Sequence, residues 1–411
     1  MDVVTNAKVA FVLERYALDD VSEICLRTRA MATALAERGH DVTVLTTCSR
    51  YPGQWNNDVA EGESTIDSLS VVRFRLEQRL VHRLDRPAKW LASYNTLAAK
   101  VWGHSVGPVC PGYRPYLDQF GPLFDAVFFT GAWGYLVSEG MGRVRNAVLC
   151  PAPWEDRTHQ GKQAATLLRQ ARGVALASSA EEKRLRTATE YPWSCPTFVI
   201  GAAPDPLPSP SYRSKRLTLV DGPFLLAFGH YSPAADRLLE AFQLFRQAHG
   251  DTSFEDDRSE RMSAKNVRLV LAGDDRFPHD PGNGVVSLGP VDDTARESLM
   301  RHALAVVHAD PCIRLSTGLL SAWMQGCPTL IHAGSTDLQP VLDAIGKECV
   351  FDSALTFAAG AASLLSSPGP RRAYGARAQH MVQRVFSPRK LGECLEQCVR
   401  AVMGRAKGQP V

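Results

Sequence analysis

The chain has 411 residues, 45% of them hydrophobic and 22% charged, with a formal net charge of +3. That length predicts roughly two or three domains, each large enough to bury a core without metal or disulfide staples. The near-neutral balance gives no support to a nucleic-acid partner. Ten cysteines are scattered singly, with no CxxC pair and no histidine-rich cluster. They read as reduced structural thiols, which predicts a cytoplasmic setting and no zinc site. The N-terminus, MDVVTNAKVAFVLERY, lacks the basic region, apolar core and cleavage site of a signal peptide. No stretch approaches the roughly 18 to 20 apolar residues of a membrane span, which leaves peripheral contact with a membrane surface open.

Lys8–Leu13 (KVAFVL) is a short apolar run of the kind that a buried parallel strand shows. A polar loop follows, and Glu23–Arg38 then carries Ile24, Leu26, Met31 and Leu35 at near-helical spacing, closed by Gly39. Asp41–Thr47 (DVTVLTT) predicts the next strand, so the first unit is β-α-β with a right-handed crossover. The alternation continues through Leu69–Phe74, an amphipathic region at Lys89–Val101, Ala126–Thr130, Ala147–Leu149, Val174–Ser178 and a helix starting near Ala180. Thr197–Ile200 ends the first half, and the proline-rich Pro204–Pro210 reads as a linker. A second alternation begins at Pro223–Phe228 with Gly229, followed by a helix at Leu238–Ala248. An exposed polar loop is expected at Asp251–Lys265, then strands at Val267–Ala272, Val285–Leu288 and Ala303–His308. A last helix is expected at Pro388–Val402. The predicted architecture is α/β, with two doubly wound Rossmann-like domains: residues 1–203, a linker over 204–222, a second domain over 223–385, and a terminal helix over 386–411 that could return to the first domain.

In this order the segments resemble the GT-B glycosyltransferases, specifically the retaining, family 4-like enzymes, over nearly the whole chain. AERGHDVTVLT is similar to that family's first β-α-β unit, DAVFFTGAW to the strand and loop bearing its N-domain active-site residue, and ASSAEEKRL to the helix after its late N-domain strand. VIGAAPDP stands where the family has VIPNGVD, and LLAFGHYSPAADRLLEAF where it has GRLSPEKG. LVLAGDD matches IVGDG, VSLGPV matches FLGYV, GLLSAWMQGCPTLI matches EAMACGTPVI, and FSPRKL resembles the closing FSW helix. The resemblance implies two domains facing across a cleft, a nucleotide-sugar donor (UDP- or GDP-sugar) on the C-terminal side, and an acceptor on the N-terminal side. It implies no cofactor and no bound metal.

In such enzymes an Arg and a Lys in the GRLSPEKG loop hold the donor diphosphate, helped by backbone N–H groups at a helix start. A pair of glutamates fixes the sugar and ribose hydroxyls. Here the Arg and Lys positions are His230 and Ala235, and the glutamate positions are Ile313 and Ser321. The residue that is usually an N-domain His falls at Thr130 or Gly131, and Asp19, Asp20 and Glu23 replace the glycine pair of the first loop. Each charge-assisted hydrogen bond so lost is worth about 1.5 to 3 kcal/mol. The donor-side candidates are therefore Gly229, His230, Gly273, Asp274, Arg314, Ser316, Thr317, Gly318, Leu319 and Ser321. Ser316 and Thr317 are equally readable as a helix N-cap, and His230 as a turn residue. Asp274 and Asp275 look more like a loop cap than a metal site. Glu155 and Thr130 are the catalytic candidates, and Glu23, Trp133 and Trp154 the acceptor-side ones. An exposed loop carboxylate is the commoner identity for Glu155, and packing against the sheet the commoner one for Trp133 and Tyr135.

Two readings follow. One is a glycosyltransferase with an altered donor site, retaining if family behaviour carries over. It would act on a glycan, lipid or small-molecule acceptor in polysaccharide, glycolipid or secondary-metabolite glycosylation. The other is a non-catalytic GT-B protein serving as partner or scaffold of an active enzyme.

Overall fold

The computed structural model describes residues 6–20, 22–50, 55–77, 109–131, 134–151, 158–189, 193–205, 220, 222–229, 231–255, 261–310, 315–334, 338–346, 349–366 and 368–406. The chain divides into two compact units. The first comprises Met1–Ala17, Arg27–Ala202 and Pro388–Val411, and the second comprises Leu18–Leu26 and Ala203–Ser387.

The first unit is built on a sheet of β1 (Lys8–Val12), β2 (Asp41–Thr47), β3 (Gly62–Ile66), β4 (Leu69–Phe74), β5 (Ala126–Gly131), β6 (Ala147–Pro151), β7 (Gly173–Leu176) and β8 (Thr197–Val199). Its order is β3-β4-β2-β1-β5-β6-β7-β8. Every neighbouring pair is parallel except β3 with β4. The connecting helices are α1 (Glu23–Ala36), whose residues up to Leu26 are grouped with the second unit, α2 (Tyr113–Phe120), α3 (Tyr135–Gly140), α4 (Thr158–Gln170) and α5 (Ser179–Thr189). The strands carry apolar side chains on both faces because helices cover both faces. β5 is buried at all of its positions, and Phe11 stacks on Phe128 at 5.0 Å. The edge pair β3–β4 turns through Asp67 and Ser68, both at positive φ.

The second unit has a parallel sheet ordered β13-β12-β9-β14-β15-β16. Its strands are β9 (Phe224–Phe228), β12 (Arg268–Ala272), β13 (Val285–Ser287), β14 (Ala305–His308), β15 (Thr329–His332) and β16 (Val350–Phe351). The polar stretch expected to be a plain loop at Asp251–Lys265 instead forms a small antiparallel pair, β10 (Ser253–Glu255) with β11 (Arg261–Ser263). A Lys265–Asp251 ion pair of 2.8 Å and Ser263, which caps a short helical turn, hold its ends. The helices are α6 (Pro233–His249), α7 (Asp293–His302), α8 (Thr317–Met324), α9 (Gln339–Ile345), α10 (Ala354–Ser366) and α11 (Pro368–Val385). A last helix, α12 (Pro388–Ala406), belongs to the first unit. Its Glu396 accepts hydrogen bonds from Arg38 at 2.7 and 3.0 Å and lies 3.2 Å from His40. The Arg38 bond, backed by His40, holds the Glu396 carboxyl below its ordinary range against the effect of burial. The amphipathic segment expected at Lys89–Val101 lies outside the described residues.

Ala203, Pro204 and Asp205 open the second unit as buried residues, although the sequence assigns 204–205 to a linker. Asp205 pairs with the buried Arg296 of α7, which also holds Asp293 at 2.9 Å. A charge so enclosed must be paired to be tolerated. The Asp205 N–H in turn donates to Ser321 Oγ of α8 at 2.9 Å.

Candidate functional site

A doubly wound sheet opens a crevice where successive connections leave in opposite directions, at the carboxyl ends of the strands. In the first unit that point falls between β1 and β5, and in the second between β9 and β14.

At the first of these points Thr130 is the penultimate residue of β5. Its buried hydroxyl donates to the Val12 carbonyl at 3.1 Å, tying β5 to β1. Glu14 lies two residues beyond the end of β1. It is not among the candidates read from the sequence, where nothing distinguishes it from other loop acids. Its carbonyl accepts from Thr47 Oγ1 at 2.7 Å. Buried Arg73 donates to the carbonyls of Thr47 and Tyr16 at 3.2 and 2.7 Å, which fixes the loop around it. Burial pushes the Glu14 carboxyl up to about 7, against the pull of neighbouring Arg15. Tyr135, at the start of α3, packs on the core of the unit. Trp133, Trp154 and Glu155 lie outside the described residues.

At the second point, Gly229 follows β9 at φ 141° and donates to the Ala272 carbonyl at 3.1 Å. Gly273 follows β12 at φ 117° and donates to the Gly289 carbonyl at 2.8 Å. Both backbones lie in a region that side chains disfavour, which explains the recurring strand-then-glycine signature. Asp274 is buried. It accepts from the N–H groups of Tyr231 and Arg276, both at 2.9 Å, and is clasped by the Arg276 guanidinium. Burial alone would raise its pKa, but the Arg276 and Tyr231 hydrogen bonds overcome this and hold it down to about 2. Asp274 thus joins the loops after β9 and β12. His230 and Arg314 lie outside the described residues, and Ala235 is buried in the first turn of α6.

The first turns of α8 hold several of the candidates. Ser316 is its N-cap, and its hydroxyl accepts from the Leu319 N–H at 3.1 Å. The Thr317 N–H donates to both carboxylate oxygens of Glu23, at 2.9 and 3.0 Å. Thr317 Oγ1 is buried with no hydrogen-bond partner among the described residues. The Gly318 N–H, the remaining amide of this turn, has no acceptor among them either. A helix N-terminus carries roughly half a positive charge, so a carboxylate there is stabilised. Leu319 is buried, and Ser321, at the family's second glutamate position, is consumed inside the fold: it donates to the Thr317 carbonyl at 2.9 Å and accepts from Asp205.

Two histidines that the sequence reading did not single out end strands of this sheet. His308 closes β14. It is buried with no partner for Nε2 among the described residues, and burial takes its pKa down to about 4. His332 closes β15 and is held below its ordinary range by burial and by Arg237, against Asp352 and Asp310. Among the described residues no group of His, Cys, Asp and Glu is arranged to hold a metal ion, and no helix is long and apolar enough to cross a membrane.

No family model matches the chain, and no curated protein matches it. Solved structures do. The sucrose-phosphate synthase of Thermosynechococcus elongatus is 15% identical, with 97% of this chain and 100% of that one covered and a TM-score of 0.63. HepE of Anabaena, solved with UDP and glucose, is 13% identical over 96% and 100%, with a TM-score of 0.61. WaaG, a glycosyltransferase involved in lipopolysaccharide biosynthesis, is 15% identical over 95% and 99%, with a TM-score of 0.58. With two doubly wound parallel sheets in succession and glycosyltransferases matching it from end to end, this chain has the GT-B fold of those enzymes.

Proposed function

We propose that the chain is a glycosyltransferase that moves a sugar from a nucleotide-diphosphate donor, UDP- or GDP-linked, to a glycan, lipid or small-molecule acceptor. The carrying observation is the Glu23 carboxylate on the first turn of α8. In the resembling family a glutamate at the position of Ile313 offers a carboxylate to the donor sugar. Here Glu23 brings one to the same helix start from a different part of the chain. A carboxylate accepts hydrogen bonds through both of its oxygens, and vicinal hydroxyls suit it.

The Gly318 N–H, the dipole of α8 and Arg314 would take the diphosphate in place of the missing Arg and Lys. Gly229 and Gly273 keep the strand-end loops low, while Asp274 holds them in position. His230 would add a hydrogen bond to the donor. Thr130 and Glu14 would serve the acceptor, and a carboxyl with a pKa of about 7 is matched to taking a proton near neutrality. Glu155, Trp133 and Trp154 would complete the acceptor side. Retention of configuration follows from the family resemblance, with polysaccharide, glycolipid or secondary-metabolite glycosylation as settings.

A second reading, a non-catalytic GT-B protein acting as partner or scaffold, draws on a different observation. Ser321 and Asp274 spend their hydrogen bonds inside the fold, and two amides at the start of α8 already have acceptors. Thermal unfolding with UDP, GDP and their sugars separates the two readings. A ligand at 100 times its dissociation constant stabilises by about 2.7 kcal/mol. A rise in Tm with one nucleotide series supports donor binding, and no rise with any of them removes the transferase reading.

A further inference from the structure

A cavity of about 540 Å³ opens in the first unit, at the opposite end of the parallel strands from Glu14 and Thr130. It lies between the C-terminal ends of α3 and α4 and the residues that enter β6, β7 and β8. That volume is within the roughly 300 to 1,000 Å³ of small-molecule sites. Its wall holds Arg143, Arg145, Arg169 and Arg172, with Gln170 and Ser194 beside them, and no acidic or aromatic residue.

The four guanidiniums are not equivalent. Arg143 is neutralised by Asp118 at 2.8 Å and Glu139 at 3.5 Å. Arg172 donates to the Arg145 carbonyl at 3.3 Å, and Arg169 to Thr166 Oγ1 at 3.2 Å. Those bonds orient the two side chains without cancelling charge. Among the described residues no carboxylate pairs with Arg145, Arg169 or Arg172. A helix C-terminus brings roughly half a negative charge, so the ends of α3 and α4 offset only part of the excess. Three like charges round one hollow repel each other unless an anion sits among them.

We propose that this cavity binds a polyol carrying two phosphate groups, such as a sugar bisphosphate. A phosphate ester brings roughly −1.5 to −2 charges near neutral pH, so two of them match three uncompensated guanidiniums and one does not. Guanidinium forks grip phosphate oxygens in pairs. Gln170 and Ser194 offer partners for hydroxyls, and without an aromatic wall there is nothing for a nucleobase to stack on. The site therefore differs in chemistry from a nucleotide site.

Titration calorimetry of the full chain at low ionic strength tests this, with hexose 1,6-bisphosphate, hexose 6-phosphate and UDP as ligands. The bisphosphate should bind at least tenfold more tightly than the monophosphate. Replacing Arg145, Arg169 and Arg172 together by Ala should weaken it tenfold or more and leave the UDP titration unchanged. The three side chains are exposed, so the variant should keep its melting temperature, and Arg145→Ala alone should reproduce part of the loss. A charge-matched control replaces Arg384, Arg389 and Lys390 by Ala and should bind the bisphosphate like the parent. The proposal is overturned if the parent does not bind the bisphosphate, if the cavity variant binds it equally well, or if the control loses as much.

Discussion

The carboxylate of Glu23 accepts the backbone N–H of Thr317 through both oxygens, at 2.9 and 3.0 Å, across 294 positions of sequence. An acid at a helix start gains about 0.3 to 1 kcal/mol from the aligned peptide dipoles. It also sets a hydrogen-bond acceptor beside the turn where a nucleotide-sugar would lie. Glu23→Gln keeps the shape and removes the charge. It should weaken binding of a nucleotide-sugar relative to the bare nucleotide by roughly tenfold or more, since a hydrogen bond to a charged group is worth about 1.5 to 3 kcal/mol. Calorimetry with UDP and UDP-sugar reads the difference. If both ligands bind more tightly to the variant, Glu23 excludes phosphate from the turn and does not serve the sugar.

Gly318 tests the same turn from the ligand's side. Among the described residues, a methyl group placed there would meet only Leu26 Cδ1, at an ordinary 3.8 Å. Alanine is preferred to glycine in a helix by up to about 1 kcal/mol. Gly318→Ala should therefore match or exceed the parent in urea denaturation, yet bind nucleotide less well because the methyl crowds the approach to this turn. Unchanged affinity in the stable variant would place the phosphates elsewhere.

Glu14 makes stability depend on pH in a defined direction. Its folded pKa of about 7 lies above the ordinary 4.5, so the folded state binds the proton more strongly than the unfolded chain does. The resulting stabilisation is complete below about pH 4.5, falls as pH rises, and is gone above about pH 7. At about 1.36 kcal/mol for each pKa unit, its full size is on the order of 3 kcal/mol. Glu14→Gln, which stays neutral, should equal the parent near pH 4.5 and exceed it at pH 8. Denaturation curves at the two pH values check this, and a constant difference between the proteins would contradict it.

The buried pair of Asp205 and Arg296 supports α8 through Ser321. Asp205→Ala strands a guanidinium inside the second unit, a loss of about 3 to 5 kcal/mol in typical cases. Asp293, 2.9 Å from the same guanidinium, keeps the expected effect toward the lower end. Urea denaturation should show this loss. A cost below about 1 kcal/mol would mean that Asp293 alone suffices.

Much of the fold was legible because parallel strands buried on both faces are apolar runs that local inspection finds. β1, β2, β4 and β9 fall where KVAFVL, DVTVLTT, LSVVRF and PFLLAF predict them. β3 is invisible to the same inspection: GESTI is exposed at nearly every position, and its turn, Asp67-Ser68, lacks the glycine that usually marks a hairpin. β10 and β11 escape for the same reason, as polar residues on a small antiparallel pair. In the site, Ser316 and Thr317 were readable as a helix start, and Glu23 was notable as an acid where glycine was expected. That the last two meet was not readable. Glu14 and His308 were overlooked because an acid or an imidazole becomes unusual only once burial shifts its titration.

The sequence by itself determined the alternation of strand and helix, the glycines at strand ends and the absence of the usual donor-site charges. Those features are written in residues a few positions apart, where backbone geometry imposes its period. The tertiary structure alone decided which polar groups are used up within the fold, as Ser321 and Asp274 are, and which carboxylate comes to the start of α8. Such choices depend on burial and on contacts between distant segments, which exist only once the sheets have closed.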